Sequence, residues 1–372
     1  MGKFGKKVEI SLNPLDYNIT ILGESGIGKT TIAKEMCEEL NVDYIHFDIG
    51  REEGASAIEG IISEKIENWE KLTEVVEDIT ENKEKEYPDL KVVIFDTIDE
   101  LIDIAEKESI RVHNKMHPDK KTSSINSAHG GFMKGQDFAL NLILEVFDKL
   151  KKVGVSSIKI GHVKKTDITD VVTQETYSKL TSDVTQRYFN GIKNKEHFVA
   201  LCYIDRELVK IKTNKKDKNG NEIKKNKAIS ESRCISFRDN TYSVDSKSRF
   251  ADITDEKVPF TPQAFIKAMK DAIIAEKTKY GKSIKDAEKE QEKREEAKEK
   301  RAKENSKAIR ENKIDEDRNM EIVEEIQSLI QSLDDDKKSA MKEVMKKNGI
   351  KNFKDAETIP TKKLEEVLDS IQ

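Results

Sequence analysis

Apolar and polar positions alternate between two periods along the first 250 residues. Short apolar runs at Asn18–Leu22, Tyr44–Asp48, Lys91–Asp96, Ser156–His162 and Phe198–Ile204 read as strands. Between them lie stretches of helical spacing: Thr30–Leu40, Ala55–Thr80 with interruptions, Ile98–Lys115 and Gly135–Lys152. In the last of these, Phe138, Leu142, Ile143, Val146, Phe147 and Leu150 recur on one face. Strands that alternate with helices at this spacing predict an α/β fold, a mostly parallel sheet covered by helices on both faces. Val163–Ser182 reads as a loop. Beyond Ile204 the pattern changes: Leu208–Thr213 and Arg233–Phe237 flank a stretch rich in Lys, Asn and Gly. That arrangement predicts a β-hairpin extension over about 205–245 with a long tip, and a short strand near Thr241–Val244.

The last third has another character. A helical apolar pattern runs from Pro262 to Tyr280, but Lys282–Asn319 is almost continuous Lys, Glu, Arg and Ala without a sustained apolar seam. It reads as a charged helical tether, either one solvated helix or a flexible linker, and not as a coiled coil. Apolar positions return at Ile322, Val323, Ile326, Leu329, Ile330 and Leu333, then at Met341, Val344, Leu364, Val367, Leu368 and Ile371. Breaks at Gly349-Ile350 and Ile359-Pro360 divide this part into about three short helices. The expected organisation is therefore an α/β domain over 1–255, a helix and charged linker over 256–319 and a small helical module over 320–372.

Composition agrees with solvated segments appended to one sizeable core: 35% of the 372 residues are hydrophobic and 37% are charged. No apolar run approaches the roughly 20 residues that cross a bilayer, and the start of the chain lacks the apolar stretch of a signal peptide. A cytoplasmic protein without a membrane partner is expected. Cys37, Cys202 and Cys234 are far apart and show no metal-ligand spacing, so they read as ordinary thiols. The net charge of -5 gives no global case for nucleic acid, and any such case rests on local patches.

The chemistry concentrates between the first strand and the first helix. Gly23-Glu24-Ser25-Gly26-Ile27-Gly28-Lys29-Thr30, followed by Thr31, is a phosphate-binding loop in its structural setting. Its glycines let backbone N–H groups close around phosphate oxygens while the helix dipole points at the same anion. Lys29 is expected to reach the β- and γ-phosphates of ATP, and the Thr30 hydroxyl to hold Mg²⁺. Val92-Val-Ile-Phe-Asp96 is an apolar strand that ends in an acid, which places Asp96 at the metal. Thr97 follows it, so the group that activates water must come from elsewhere. Glu52 or Glu53, just past the second strand, is the candidate base, with an ordinary surface glutamate as the alternative. His162 closes the fourth strand and reads either as a sensor of the γ-phosphate or as a structural histidine.

These elements, with His129-Gly-Gly-Phe-Met-Lys-Gly-Gln136, Gly161-His162-Val-Lys and Lys247-Ser-Arg249, resemble the RecA-like nucleotide-binding ATPases encoded by bacteriophages. The resemblance covers about residues 15–255. It implies a RecA-like P-loop fold, ATP and Mg²⁺ as cofactors, an association with single-strand annealing and recombination, and the host cytoplasm as location. It also implies a homo-oligomer in which Lys247 and Arg249 face a neighbouring subunit's γ-phosphate. One departure is plain: RecA proper has a Glu two residues after the strand Asp, and this chain has Gly50 there.

Single-stranded DNA enters by local charge as well. Lys210, Lys212, Lys215, Lys216, Lys218, Lys224, Lys225 and Lys227 crowd the predicted hairpin, opposed only by Asp217 and Glu222. The hairpin reads as a basic arm for a phosphate backbone or as a merely solvated element. Gln186–Lys195 interleaves aromatic and basic residues, as stacking platforms do, or else turns its rings to the core. The sequence thus predicts an ATPase acting on single-stranded DNA in recombination, annealing or replication. Its alternatives are a non-hydrolysing, nucleotide-gated DNA-binding protein, and an ATPase that remodels a protein partner through the C-terminal helices.

Overall fold

The computed structural model describes residues 10–51, 54–169, 174–216, 222–238, 245–250, 253, 257–279, 284–330 and 333–371. They divide into two compact units, residues 1–77 with 88–299 and residues 78–87 with 300–372.

The first unit is built on β1 (Ile19–Gly23), β2 (Asp43–Ile49), β3 (Ser63–Ile66), β4 (Leu90–Asp96), β5 (Ser156–Thr169), β6 (Thr176–Ser182), β7 (Phe198–Lys216), β8 (Glu222–Ser236), β9 (Lys247–Ser248) and β10 (Val258–Pro259). Along the sheet the order is β10-β8-β7-β1-β5-β4-β2-β3, with β6 on β5 and β9 on β7. From β7 to β3 every neighbouring pair is parallel, whereas β8, β9 and β10 join antiparallel. The reason lies in the side chains. Every residue of β1 is buried, as is β4 except Lys91, so both faces of these strands need cover. Helices α1 (Lys29–Glu39), α3 (Ile98–Met116), α4 (Lys134–Lys152) and α6 (Pro262–Thr278) present matching apolar faces. Ile32, Met36, Phe265 and Met269 enter one core with Ile21, Ile94 and Ile160.

Two expectations are corrected. Residues 55–80 are not one interrupted helix: a short 3-10 turn, the edge strand β3 and then α2 (Trp69–Asn82) occupy them. Ser63-Glu-Lys-Ile66 has too little alternation to declare itself, and its extended form comes from pairing with His46–Ile49. Residues 163–182 are not a loop either, because β5 continues to Thr169 and pairs antiparallel with β6. The predicted hairpin after Ile204 is present as β7 and β8, and β7 joins the two predicted strands Phe198–Ile204 and Leu208–Thr213 into one. The strand expected at 241–244 lies outside the described residues.

A histidine at the base of the sheet gives this unit an acid-sensitive contact. His197 Nδ1 accepts the Asn18 N–H at 3.1 Å, and its ring tilts against Tyr17. Burial first, then Arg249, Lys151, Lys159 and Lys247, push its pKa down to about 4. The unfolded chain binds this proton near pH 6.5, so stability is unaffected above that value and declines as pH falls toward 4. In His197→Asn this contribution is removed. Urea midpoints of parent and variant should therefore converge between pH 6.5 and pH 4, and a constant separation would show that the histidine does not titrate there.

The second unit contains α8 (Glu316–Ile330), α9 (Asp335–Lys347) and α10 (Thr361–Asp369), and α7 (Ile284–Glu311) contributes residues to both units. Its core is Ile322, Val323, Ile326, Leu333, Leu364, Val367 and Leu368. Buried Asn319 donates to the carbonyls of Ala356 (2.9 Å) and Ile359 (2.8 Å), which fixes the turn before α10. Among the described residues no helix is long and apolar enough to cross a membrane.

Candidate functional site

The site forms where β1 runs out of sheet. Gly23 ends the strand, Ile27 is buried and anchors the turn from beneath, and α1 starts at Lys29. Gly28 has φ +104°, a backbone that L side chains rarely adopt, and a Cβ there would meet the Phe260 ring at 3.3 Å. Arg233 Nη1 lies 3.6 Å from the same point, a cation that sequence reasoning left without a role. At Gly23 a Cβ would stand 2.9 Å from the Cys202 carbonyl, because β7 pairs directly alongside.

Lys29 is 6% exposed and donates to the carbonyls of Gly23 (2.9 Å) and Glu24 (3.0 Å), so its ammonium sits under the loop it belongs to. Burial pushes the neighbouring Cys202 thiol up to about 12 against the opposing pull of Lys29, which leaves it protonated and unreactive. Thr30 Oγ1 donates to Asp96 Oδ2 at 2.5 Å. The contact reaches past the end of β5, the strand that lies between β1 and β4. His46 Nε2 is 3.1 Å from the same oxygen, and its Nδ1 is 3.1 Å from Ser63 Oγ. With Nε2 protonated, this histidine donates to Asp96 and accepts from the serine. His46 is a second partner that the sequence did not reveal, since a lone histidine inside a strand carries no signature.

The other end of the edge is equally connected. His162 is the Cα partner of Gly23, its N–H donates to Asp99 Oδ2 at 3.2 Å, and its Nδ1 lies 3.6 Å from that oxygen. Asp48 ends up in register with Asp96 on the neighbouring strand. Gly50, at φ +66°, has a backbone that L side chains rarely adopt, and a Cβ there would fall 2.0 Å from Glu100 Oε2, which would have to move. That carboxylate accepts the Arg51 N–H at 3.2 Å. Glu52 and Glu53 lie outside the described residues.

Lys29, Thr30, Asp96 and His162 are thus brought together, and Lys247 and Arg249 are not. The β9 pairing is to Phe198 and Val199, whereas the phosphate loop lies beside Cys202. Three to four residues of a parallel strand separate the two levels by about 10–13 Å. Arg249 Nε donates to the Glu196 carbonyl at 3.0 Å and Nη2 to that of Asn194, while Lys247 Nζ donates to Lys193 O at 2.7 Å. In this chain both side chains hold the turn before β7. The stacking-platform reading of Gln186–Lys195 is corrected: Tyr188 and Phe189 are 1% and 3% exposed, with the Tyr188 hydroxyl on Glu106 Oε1 at 2.7 Å. Their rings belong to the core of α5 (Gln186–Lys193).

The oxygen donors Thr30 and Asp96 suit a hard cation such as Mg²⁺. Among the described residues no three His, Cys, Asp or Glu side chains are arranged to hold a metal unaided, so phosphate oxygens would have to complete its shell. A family model described as "AAA domain" matches residues 15–250. The search among curated proteins gave no significant match.

Proposed function

The chain belongs to the AAA-domain family of P-loop nucleotide-binding ATPases, and on that premise we propose that it hydrolyses ATP in a RecA-like manner and couples the nucleotide to single-stranded DNA. The observation that carries the ATPase part is the junction of Lys29, Thr30 and Asp96: an ammonium within the loop, and a hydroxyl bonded to a strand-end carboxylate at 2.5 Å. In this reading the loop N–H groups bind the β- and γ-phosphates, and Lys29 exchanges a carbonyl partner for phosphate oxygen. Bound at Thr30 and Asp96, Mg²⁺ would neutralise charge that develops on the transferred phosphoryl group. His162, beside Gly23 and tied to Asp99, suits a sensor that relays γ-phosphate occupancy to β5 and β6.

The DNA part is supported by the β7–β8 hairpin. Its lysines at 210, 212, 215, 216, 224, 225 and 227 lie along paired strands, and Lys218 lies outside the described residues. Assembly into a homo-oligomer and a role in phage recombination, annealing or replication fit the family resemblance. A second reading, an ATPase that remodels a protein partner, is favoured by Ile314 and Met320, which are exposed beside a well-packed C-terminal core. ATP turnover measured with and without single-stranded DNA separates the two. Stimulation of several-fold is expected, and turnover that ignores DNA but responds to a protein partner would favour the second reading.

A further inference from the structure

Asp48 is 8% exposed and lies one residue before the end of β2, level with Asp96 of β4. One carboxylate oxygen, Oδ2, pairs with Lys65 Nζ at 3.2 Å. The other, Oδ1, is buried and has no hydrogen-bond partner. A buried acceptor left without a donor costs on the order of 1–3 kcal/mol, more when charged, so Oδ1 is placed to accept a hydrogen bond from a ligand.

Position identifies the ligand. Asp48 is the Cα partner of Asp96, about 4.8 Å away across neighbouring strands. Side chains two apart on a strand share a face, and His46, two residues before Asp48, already reaches Asp96 Oδ2. Asp48 and Asp96 therefore face the same side, with Thr30 completing the group. Asp96 Oδ2 is already met by Thr30 Oγ1 and His46 Nε2. Mg²⁺ dehydrates reluctantly and keeps several waters, whose O–H groups need acceptors.

We propose that Asp48 is a second carboxylate of the nucleotide-bound magnesium site, with Oδ1 accepting a hydrogen bond from water in the metal's shell. Lys65, on edge strand β3, holds the carboxylate through its other oxygen and leaves Oδ1 for that water. The assignment rests on the ATP-binding reading above. It adds to that reading a role for β2, whose carboxylate neither reaches the phosphate loop nor takes part in the pairing of Thr30 with Asp96.

The test uses the full chain and Mn²⁺ as a spectroscopic probe in the ATP complex, with Asp48→Asn and, in case that variant folds poorly, Asp48→Ser. Loss of an outer-shell partner is expected to weaken Mn²⁺ binding by about 10- to 100-fold. ATP affinity measured in EDTA should stay within about twofold, because no phosphate contact is removed. Unchanged Mn²⁺ affinity overturns the assignment, whether or not turnover falls, since a fall in turnover alone would make Asp48 a group that orients the attacking water. An equal loss of ATP affinity with and without metal also overturns it, by showing that Asp48 supports the loop. A parent chain that binds no ATP would instead sink the underlying reading, and the site with it.

Discussion

Lys29→Ala should lose about a hundredfold in ATP affinity and all measurable turnover while remaining folded. The size follows from what is removed: a charge-assisted contact to phosphate is worth about 1.5–3 kcal/mol, or roughly 10- to 150-fold in affinity. Turnover loses more, because the same ammonium balances charge that grows as the phosphoryl group departs. The fold survives because the Lys29 ammonium bonds to the Gly23 and Glu24 carbonyls, at the loop itself, and supplies charge there and not packing. Calorimetric titration with ATP, together with a melting curve, decides the matter. A folded variant that binds ATP like the parent would remove the phosphate-loop assignment.

The second large effect is expected at the far end of β7 and β8. Replacing Lys215, Lys216, Lys218, Lys224 and Lys225 by Ser should weaken binding to single-stranded DNA and flatten its salt dependence. Each lost phosphate contact on a single strand removes about 0.7 from the slope of log affinity against log salt, so five give at most about 3.5. Nucleotide affinity should hardly change, because the part of the hairpin that borders the loop is Cys202 and Arg233, not the lysines. DNA binding like that of the parent would take away the main support for a nucleic-acid partner and move the protein-remodelling reading ahead.

Much of this architecture could be read from residue order, for identifiable physical reasons. Strands buried on both faces, such as β1 and β4, appear as unbroken apolar runs, and a phosphate loop needs glycine where φ is positive, as at Gly26 and Gly28. The edge strand β3 was hidden because its conformation is imposed by β2. The β5–β6 hairpin was hidden because it consists mostly of polar β-formers, among them Thr166 and Thr181, whose hydroxyls meet at 2.6 Å. In α5 the alternation of Arg187, Tyr188 and Phe189 suggested exposed rings, but their helical spacing turns both rings inward. Gly50 was visible as a departure from RecA proper, and its cause was not. Its φ of +66° disfavours any L side chain, and Glu100 of α3 packs against the place where a Cβ would stand. His46 and Asp48 owe their importance to registration with β4, which no local pattern announces.

The hairpin that begins beside the phosphate loop is also a beam. Cys202 of β7 is paired with Gly23, and the ladder with β8 continues to Lys212 and beyond. Ten residues of antiparallel strand extend about 34 Å, so a rotation of about 5° at the root displaces the far end by about 3 Å. Mechanical advantage of this kind works in both directions. Whatever factor a seated nucleotide applies to affinity at the distal end, occupancy of that end must return to the nucleotide. Fuel and cargo would then meter each other through a single pair of strands.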